Sequence, residues 1–160
     1  EVYLPLITRA REPAIVKVVP TSASVGVGEQ LTISLTVENA ADLGGYELCL
    51  TFAPSVVRVR EAKDGGFLGS TGLSVLPVGP HIDNNTGTVA FGAATMGSGE
   101  GPSGTGVLGT VLLEAVGAGA SPLDLPTVMI FDRAGDSQSA DVQHGSVTVG
   151  AATSGSRYRR

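Results

Sequence analysis

Two stretches of strict alternation constrain this chain more than anything else in it. Leu31, Ile33, Leu35 and Val37 alternate with Thr32, Ser34 and Thr36. Tyr46, Leu48, Leu50 and Phe52 alternate in the same way with Glu47, Cys49 and Thr51. A period of two sends the two sets to opposite sides of an extended strand, so each stretch predicts a strand with one apolar face. Such a strand cannot stand alone, because its apolar face must be covered by a second layer. Composition points the same way. Val supplies 20 of the 160 residues, Gly 23 and Pro 9; β-branched residues favour strands, and each glycine weakens a helix by about 1 kcal/mol. With 42% apolar residues the chain can bury a core, which separates it from a disordered polymer.

Shorter signals extend the pattern. Strands are predicted at 15–19, 31–37, 46–52, 57–60, 73–78, 88–95, 107–116, 128–131 and 146–149, nine in all. Pro77 places the fifth at a sheet edge, since proline donates nothing to a ladder. Asp64-Gly65-Gly66 and Asn84-Asn85-Thr86-Gly87 are turn sequences. Residues 96–106, rich in glycine, read as a long loop, and helix is limited to one turn around 54–56. The expectation is an all-β chain of two packed sheets over 15–149. Residues 1–14 read as an N-terminal segment and 150–160 as a basic tail with Arg157, Arg159 and Arg160. The apolar run 2–7 is expected either to pair with a sheet edge, in this molecule or across a homodimer, or to be part of an interdomain linker.

Charge and chemistry exclude several classes. Formal net charge is −5, and between Lys17 and Val149 there are five basic and thirteen acidic residues, so nucleic acid is not the expected partner. No apolar run approaches 18 residues, so no membrane insertion is expected. The run 2–7 is too short and lacks the charged start of a signal peptide, so an exported chain would carry its signal upstream. Cys49 is the single cysteine; it sits in a strand pattern, where a free cysteine acts as a small hydrophobe. One Cys with His81 and His144 cannot assemble a four-ligand zinc site, and no cofactor is expected. The acids are spread singly over turns, with no pair set apart as acid and base. No Gly-x-Ser-x-Gly elbow marks a nucleophile, so an enzyme is not expected. Asp132, Asp136 and Asp141 share a loop but not the spacing of a calcium-binding hand, and read as solvated turn acids. Asn84-Asn85-Thr86 is formally a glycosylation triplet, more simply a hairpin turn. A carbohydrate-binding β-sandwich is the alternative to a protein-binding one; the absence of Trp and the placement of Phe and Tyr in strand patterns weaken it.

The order of the elements resembles the cohesin domain, the receptor module of cellulosome scaffolds and related surface proteins. The similar stretches are Val16-Lys17-Val18-Val19-Pro20, Val27-Gly28-Glu29-Gln30-Leu31, and above all the run from Leu43 to Val57. Gly65-Gly66-Phe67-Leu68, Gly106-Val107-Leu108 and Gly145-Ser146-Val147-Thr148-Val149 follow in the right order, so the resemblance covers roughly 15–149. It implies a nine-stranded β-sandwich of jelly-roll topology that binds the dockerin module of a secreted or surface protein. Calcium would be carried by that partner, and the setting would be extracellular or the cell surface. Binding would use one sheet face, including Gly45, Glu47, Cys49 and Thr51 on one strand. The neighbouring strand would add Ala90, Gly92 and Ala94, with Thr95 and Met96 at its end. The chain departs from the family pattern at several of these positions. Ala53 stands where an Asp is common, Gly45 and Glu47 where cellulosomal members carry Asn and Asp, and Gly92 and Thr95 where they carry a bulky apolar residue and Glu. A partner that diverges from the ordinary cellulosomal dockerin is therefore expected.

Overall fold

The computed structural model describes residues 13–151. The apolar run 2–7 and the arginines at the C-terminal end lie outside the described residues. Strands β1 (Ala14–Val19), β2 (Ser22–Gly26), β3 (Gln30–Ala40) and β4 (Leu43–Thr51) come first. They are followed by β5 (Val57–Asp64), β6 (Ser74–Asp83), β7 (Thr88–Met96) and β8 (Gly104–Ala115). The last four are β9 (Gly119–Asp132), β10 (Ser137–Gln138), β11 (Ala140–Gln143) and β12 (Gly145–Gly150). One sheet runs β11-β1-β3-β8-β5, the other β2-β12-β9-β4-β7-β6 with β10 paired to β9. Two pairings, β1 with β11 and β2 with β12, are parallel; the rest are antiparallel.

The alternating stretches fold as their pattern requires. Ile33, Leu35 and Val37 of β3 face Tyr46, Leu48 and Leu50 of β4 across the interior, all buried. Val16, Val59, Leu108, Val111 and Leu113 complete one layer, with Val89, Phe91, Leu123, Ile130 and Val147 in the other. Each such side chain contributes about 1.5–3 kcal/mol on burial. Residues 54–56 form a turn, with Val56 and Val57 N–H both donating to Ala53 O.

The all-β class stands, but there are twelve strands among the described residues rather than nine. The additional ones are β2, β10 and β11. β2 reads Ser-Ala-Ser-Val-Gly and owes its conformation to a parallel ladder with β12, far away in sequence; local periodicity holds no trace of such a partner. β9 begins at Gly119, nine residues before its predicted start, and runs through Pro122 and Pro126. Its register against β4 shifts between Cys49–Thr127 and Thr51–Asp124, so Leu125 and Pro126 sit in an irregularity where a missing N–H breaks no ladder. β6 lies at a sheet edge as Pro77 predicts, yet it extends to Asp83 because Gly79 and Pro80 form a bulge opposite Phe91.

The glycine-rich loop is shorter and more firmly held than its composition suggests. It spans 97–103, and its backbone is fastened to the β3–β4 turn: Leu43 N–H donates to Pro102 O (2.8 Å) and Gly101 N–H to Asp42 Oδ1 (2.7 Å). Ser103 Oγ accepts from Asp42 N–H (2.9 Å).

Two polar ties join the sheets. Tyr46, 3% exposed, donates its hydroxyl to Asp64 Oδ1 (2.6 Å) at the end of β5 and meets Phe91 edge to face at 6.4 Å and 88°. Asn84, in the β6–β7 turn, accepts from Val59 N–H (2.8 Å) and donates to Val59 O (3.0 Å). The Asn84 amide thus serves as a missing strand neighbour for β5, and the triplet it heads is a structural turn.

Asn84→Ala removes both bonds and leaves a partly buried N–H and C=O unpaired, so it is expected to cost about 1–3 kcal/mol in urea denaturation. Burial first, then the Asp64 hydrogen bond and charge, hold the Tyr46 phenol far above its ordinary value. In the unfolded chain a tyrosine ionises near pH 10. The stabilisation is therefore complete below about pH 10 and declines as pH rises beyond it. Denaturation series between about pH 8 and 11 should show a steeper decline for the wild type than for Tyr46→Phe, which itself loses about 1–2 kcal/mol at neutral pH.

Candidate functional site

The two outer faces of the sandwich differ in kind. The five-stranded sheet presents Lys17, Glu38, Arg58, Arg60, Glu61, Lys63 and Glu114, with ion pairs Lys17–Glu38 (2.6 Å), Arg60–Glu114 (3.3 Å) and Lys63–Glu61 (3.9 Å). Such pairs keep a face solvated and contribute little to stability. The outer face of β9-β4-β7-β6 carries apolar side chains instead. Antiparallel register sets directly opposed residues side by side on one face, so its rows can be read from the pairings.

One row is Phe131, Gly45, Ala94 and Leu76; the next is Met129, Glu47, Gly92 and Val78. A third is Thr127, Cys49, Ala90 and His81, and a fourth Asp124, Thr51, Thr88 and Asp83. Met96 adds an apolar end opposite Ser74. Leu76 is 51% exposed, Val78 53%, Met96 50% and Met129 42%. Exposed large hydrophobes gathered on one sheet face, rather than scattered singly, mark an interaction surface.

The centre of this face is hollow. A groove of about 470 Å³ crosses it, floored by Gly45, Gly92, Ala90 and Ala94 and rimmed by Glu47, Val78, His81, Phe131 and Arg133. The floor is low for a backbone reason. A Cβ on Gly92 would overlap the Tyr46 carbonyl oxygen and lie 3.2 Å from Glu47 Cα, so β4 and β7 approach here too closely for any side chain.

One end of the groove is closed by a clamp. Arg133, just past β9, donates Nη1–H to Thr95 Oγ1 (2.6 Å), Nε–H to Gly99 O (3.2 Å) and Nη2–H to Gly97 O. Its own N–H donates to Asp42 O (2.9 Å). All three side-chain nitrogens are thus engaged, Nε and Nη2 in holding the 97–103 loop and Nη1 in fixing Thr95 at the end of β7. Asp132 Oδ1 accepts from Ala134 and Asp136 N–H, both at 2.9 Å, which is the role of a turn carboxylate. Among the described residues no three His, Cys, Asp or Glu side chains are grouped to hold a metal ion.

Gly45, Glu47, Cys49, Thr51, Ala90, Gly92 and Met96 do come together on the outer face. Cys49 is half-buried, and burial pushes its thiol above the ordinary value. Thr95 also lines the groove, at its closed end, but from the other side of its strand. It opposes Val75 on the inward side of the strand pair, and its hydroxyl is spent on Gly44 O (3.1 Å) and Arg133. The sequence reading missed the flanking strands, which supply Met129 and Phe131 on one side and Leu76, Val78 and His81 on the other. Val128 to Phe131 is apolar throughout, so periodicity could not separate its outward residues from its inward ones.

Comparison with solved structures places the fold. A non-cellulosomal cohesin from the hyperthermophilic archaeon Archaeoglobus fulgidus superposes with a TM-score of 0.70 at 20% identity, covering 86% of this chain and 91% of that one. The cohesin of the Coh-OlpC-Doc435 complex, a type I cohesin–dockerin complex from Clostridium thermocellum, gives 0.70 at 12% identity, covering 91% and 99%. A type II cohesin domain from the cellulosome of Acetivibrio cellulolyticus gives 0.67 at 16% identity, covering 85% and 95%. At these identities the likeness shows the fold. A comparison with curated proteins returns no match. The sequence model of the cohesin domain, however, matches residues 16–149, and the chain belongs to the cohesin domain family.

Proposed function

We propose that this domain is a non-catalytic receptor that binds the dockerin module of another protein through the outer face of β9-β4-β7-β6. The observation that carries this reading is the contrast between the two outer faces: one is charged and ion-paired, the other displays Leu76, Val78, Met96 and Met129 around a groove. A protein partner is the natural cover for such a surface, because burying exposed aliphatic side chains around a desolvated centre is how stable interfaces gain affinity. Cohesins of the same fold have been solved in complex with dockerins, which supports a dockerin as the partner class. Gly45, Glu47, Cys49, Thr51, Ala90, Gly92 and Met96 are assigned to the contact face, with Leu76, Val78, Met129 and Phe131 added to them. Thr95 acts at one remove, by anchoring Arg133. Calcium belongs to the dockerin in this reading, and the setting is outside the cell or on its surface.

Residues 15–149 are the binding domain in this proposal, and 1–14 and 150–160 are flanking segments. The apolar run 2–7 pairs with a sheet edge or joins two copies. Deleting residues 1–12 should therefore lower thermal stability or shift the oligomeric state seen by light scattering; if both are unchanged, this part of the proposal fails.

Isothermal titration with dockerins encoded by the same genome, with and without calcium, tests the main reading. Binding should require calcium. Leu76→Asp or Met129→Asp should weaken it at least about tenfold with melting temperature preserved, whereas Arg58→Ala, on the opposite outer face, should leave it unchanged. Retention on a polysaccharide column without binding to any of these dockerins would overturn the reading.

A further inference from the structure

Resting on that dockerin-binding reading, we infer that the partner inserts a lysine or arginine side chain into the groove over Gly45 and Gly92, with its cationic head on Glu47. The shape comes first. With no Cβ at Gly45 and Gly92 and only methyl groups at Ala90 and Ala94, the face has a furrow where a flat sheet would carry four side chains. A flat partner surface laid across it would leave that volume empty, and an unfilled apolar void forfeits the contacts that its lining atoms would otherwise make. A long unbranched side chain fills a furrow better than a compact branched one, since its methylenes lie along apolar walls while its head reaches further. Val78 and Phe131 supply such walls.

Charge selects the head group. Glu47 stands between Met129 and Gly92 in the second row, exposed, and rims the groove. Among the described residues no ion pair or hydrogen bond engages its carboxylate. Arg133, the arginine among the described residues that lines the groove, is committed to Thr95 and to the Gly97 and Gly99 carbonyls at the groove's end. The other basic residues of the described chain, Lys17, Arg58, Arg60 and Lys63, all stand on the five-stranded sheet. Covering this face would strip water from a lone carboxylate, at considerable cost unless the partner brings a positive charge to meet it. A cationic side chain in the furrow fills the void and pairs with the carboxylate at once, and neither an aliphatic nor an acidic side chain does both.

The probes are the calcium-loaded dockerins of the same genome, titrated against the wild-type domain and against Glu47→Gln and Glu47→Lys, with circular dichroism and melting curves confirming that each variant folds. Glu47→Gln keeps the shape of the side chain and should weaken binding about tenfold or more; Glu47→Lys should weaken it about a hundredfold or more. Raising salt from about 50 to 500 mM should reduce wild-type affinity clearly more than that of Glu47→Gln. Replacing the inserted Lys or Arg of the bound dockerin by Glu should restore binding to Glu47→Lys. Ala90→Leu, which fills the furrow without touching charge, should also weaken binding. If Glu47→Gln and Ala90→Leu both bind within about twofold of wild type while Leu76→Asp abolishes binding, the inserted cation is wrong and the docking face stands. If no dockerin binds the wild-type domain, the docking reading falls and this inference with it.

Discussion

The register of β4 is the constraint on which the rest of the molecule depends. This strand is hydrogen-bonded on both sides, to β7 and to β9, and sends Tyr46, Leu48 and Leu50 into the interior. Because side chains alternate, a slip by one residue would bury Glu47 and Cys49 and expose three large hydrophobes. No arrangement of neighbouring strands could recover that loss. With β4 fixed, its partners are fixed too: Ala90, Gly92 and Ala94 must point outward because Val89, Phe91 and Ala93 are needed inside, and Met129 and Phe131 must point outward because Ile130 is. The candidate binding face is thus the obverse of the core.

That dependence also explains which features were legible in the sequence. Strict alternation in 31–37 and 46–52 revealed two central strands and their buried sets, because each is half-buried and period two is the only signal needed. Gly45, Glu47, Cys49 and Thr51 could be assigned to one face for the same reason. The missing pieces have a different physical origin. β2 and β11 are short strands held by parallel pairing with distant partners, and nothing in Ser-Ala-Ser-Val-Gly or Ala-Asp-Val-Gln encodes which strand they meet. The outward residues of β6 and β9 lie in runs that are apolar on both sides. Such runs carry no phase, so Leu76, Val78, Met129 and Phe131 could not be distinguished from core residues until the register was known.

Thr95 shows a related limit. As the penultimate residue of β7, it lies on the other side of the strand from Gly92, and its hydroxyl serves the Arg133 clamp at the end of the groove. Clamping of this kind joins three separate loops: the β3–β4 turn, the 97–103 segment and the turn after β9. Each contributes backbone carbonyls or N–H groups that the others satisfy, so the glycine-rich segment is held mainly through its backbone, with Ser103 Oγ adding one side-chain bond. Composition alone favours a free loop there, because the groups that restrain it lie some sixty residues upstream and thirty-five downstream.

The distribution of charge follows from the same economy of cations. With five basic residues between Lys17 and Val149, each placement matters. Four are on the outer face of the five-stranded sheet, where three of them sit beside carboxylates and keep that surface solvated. The fifth is tied into a loop. Among the described residues no basic side chain is left to neutralise Glu47, and the strand pairing forbids moving it inward. A carboxylate in that position costs little while water covers it, and becomes expensive when another surface excludes the water. A docking face of the kind proposed would therefore discriminate by penalty as much as by attraction: an apolar surface without a cation would bury the same hydrophobes and still bind poorly. Selectivity in this domain would then come from a single unpaired charge, placed there by the register of the strand that builds the core.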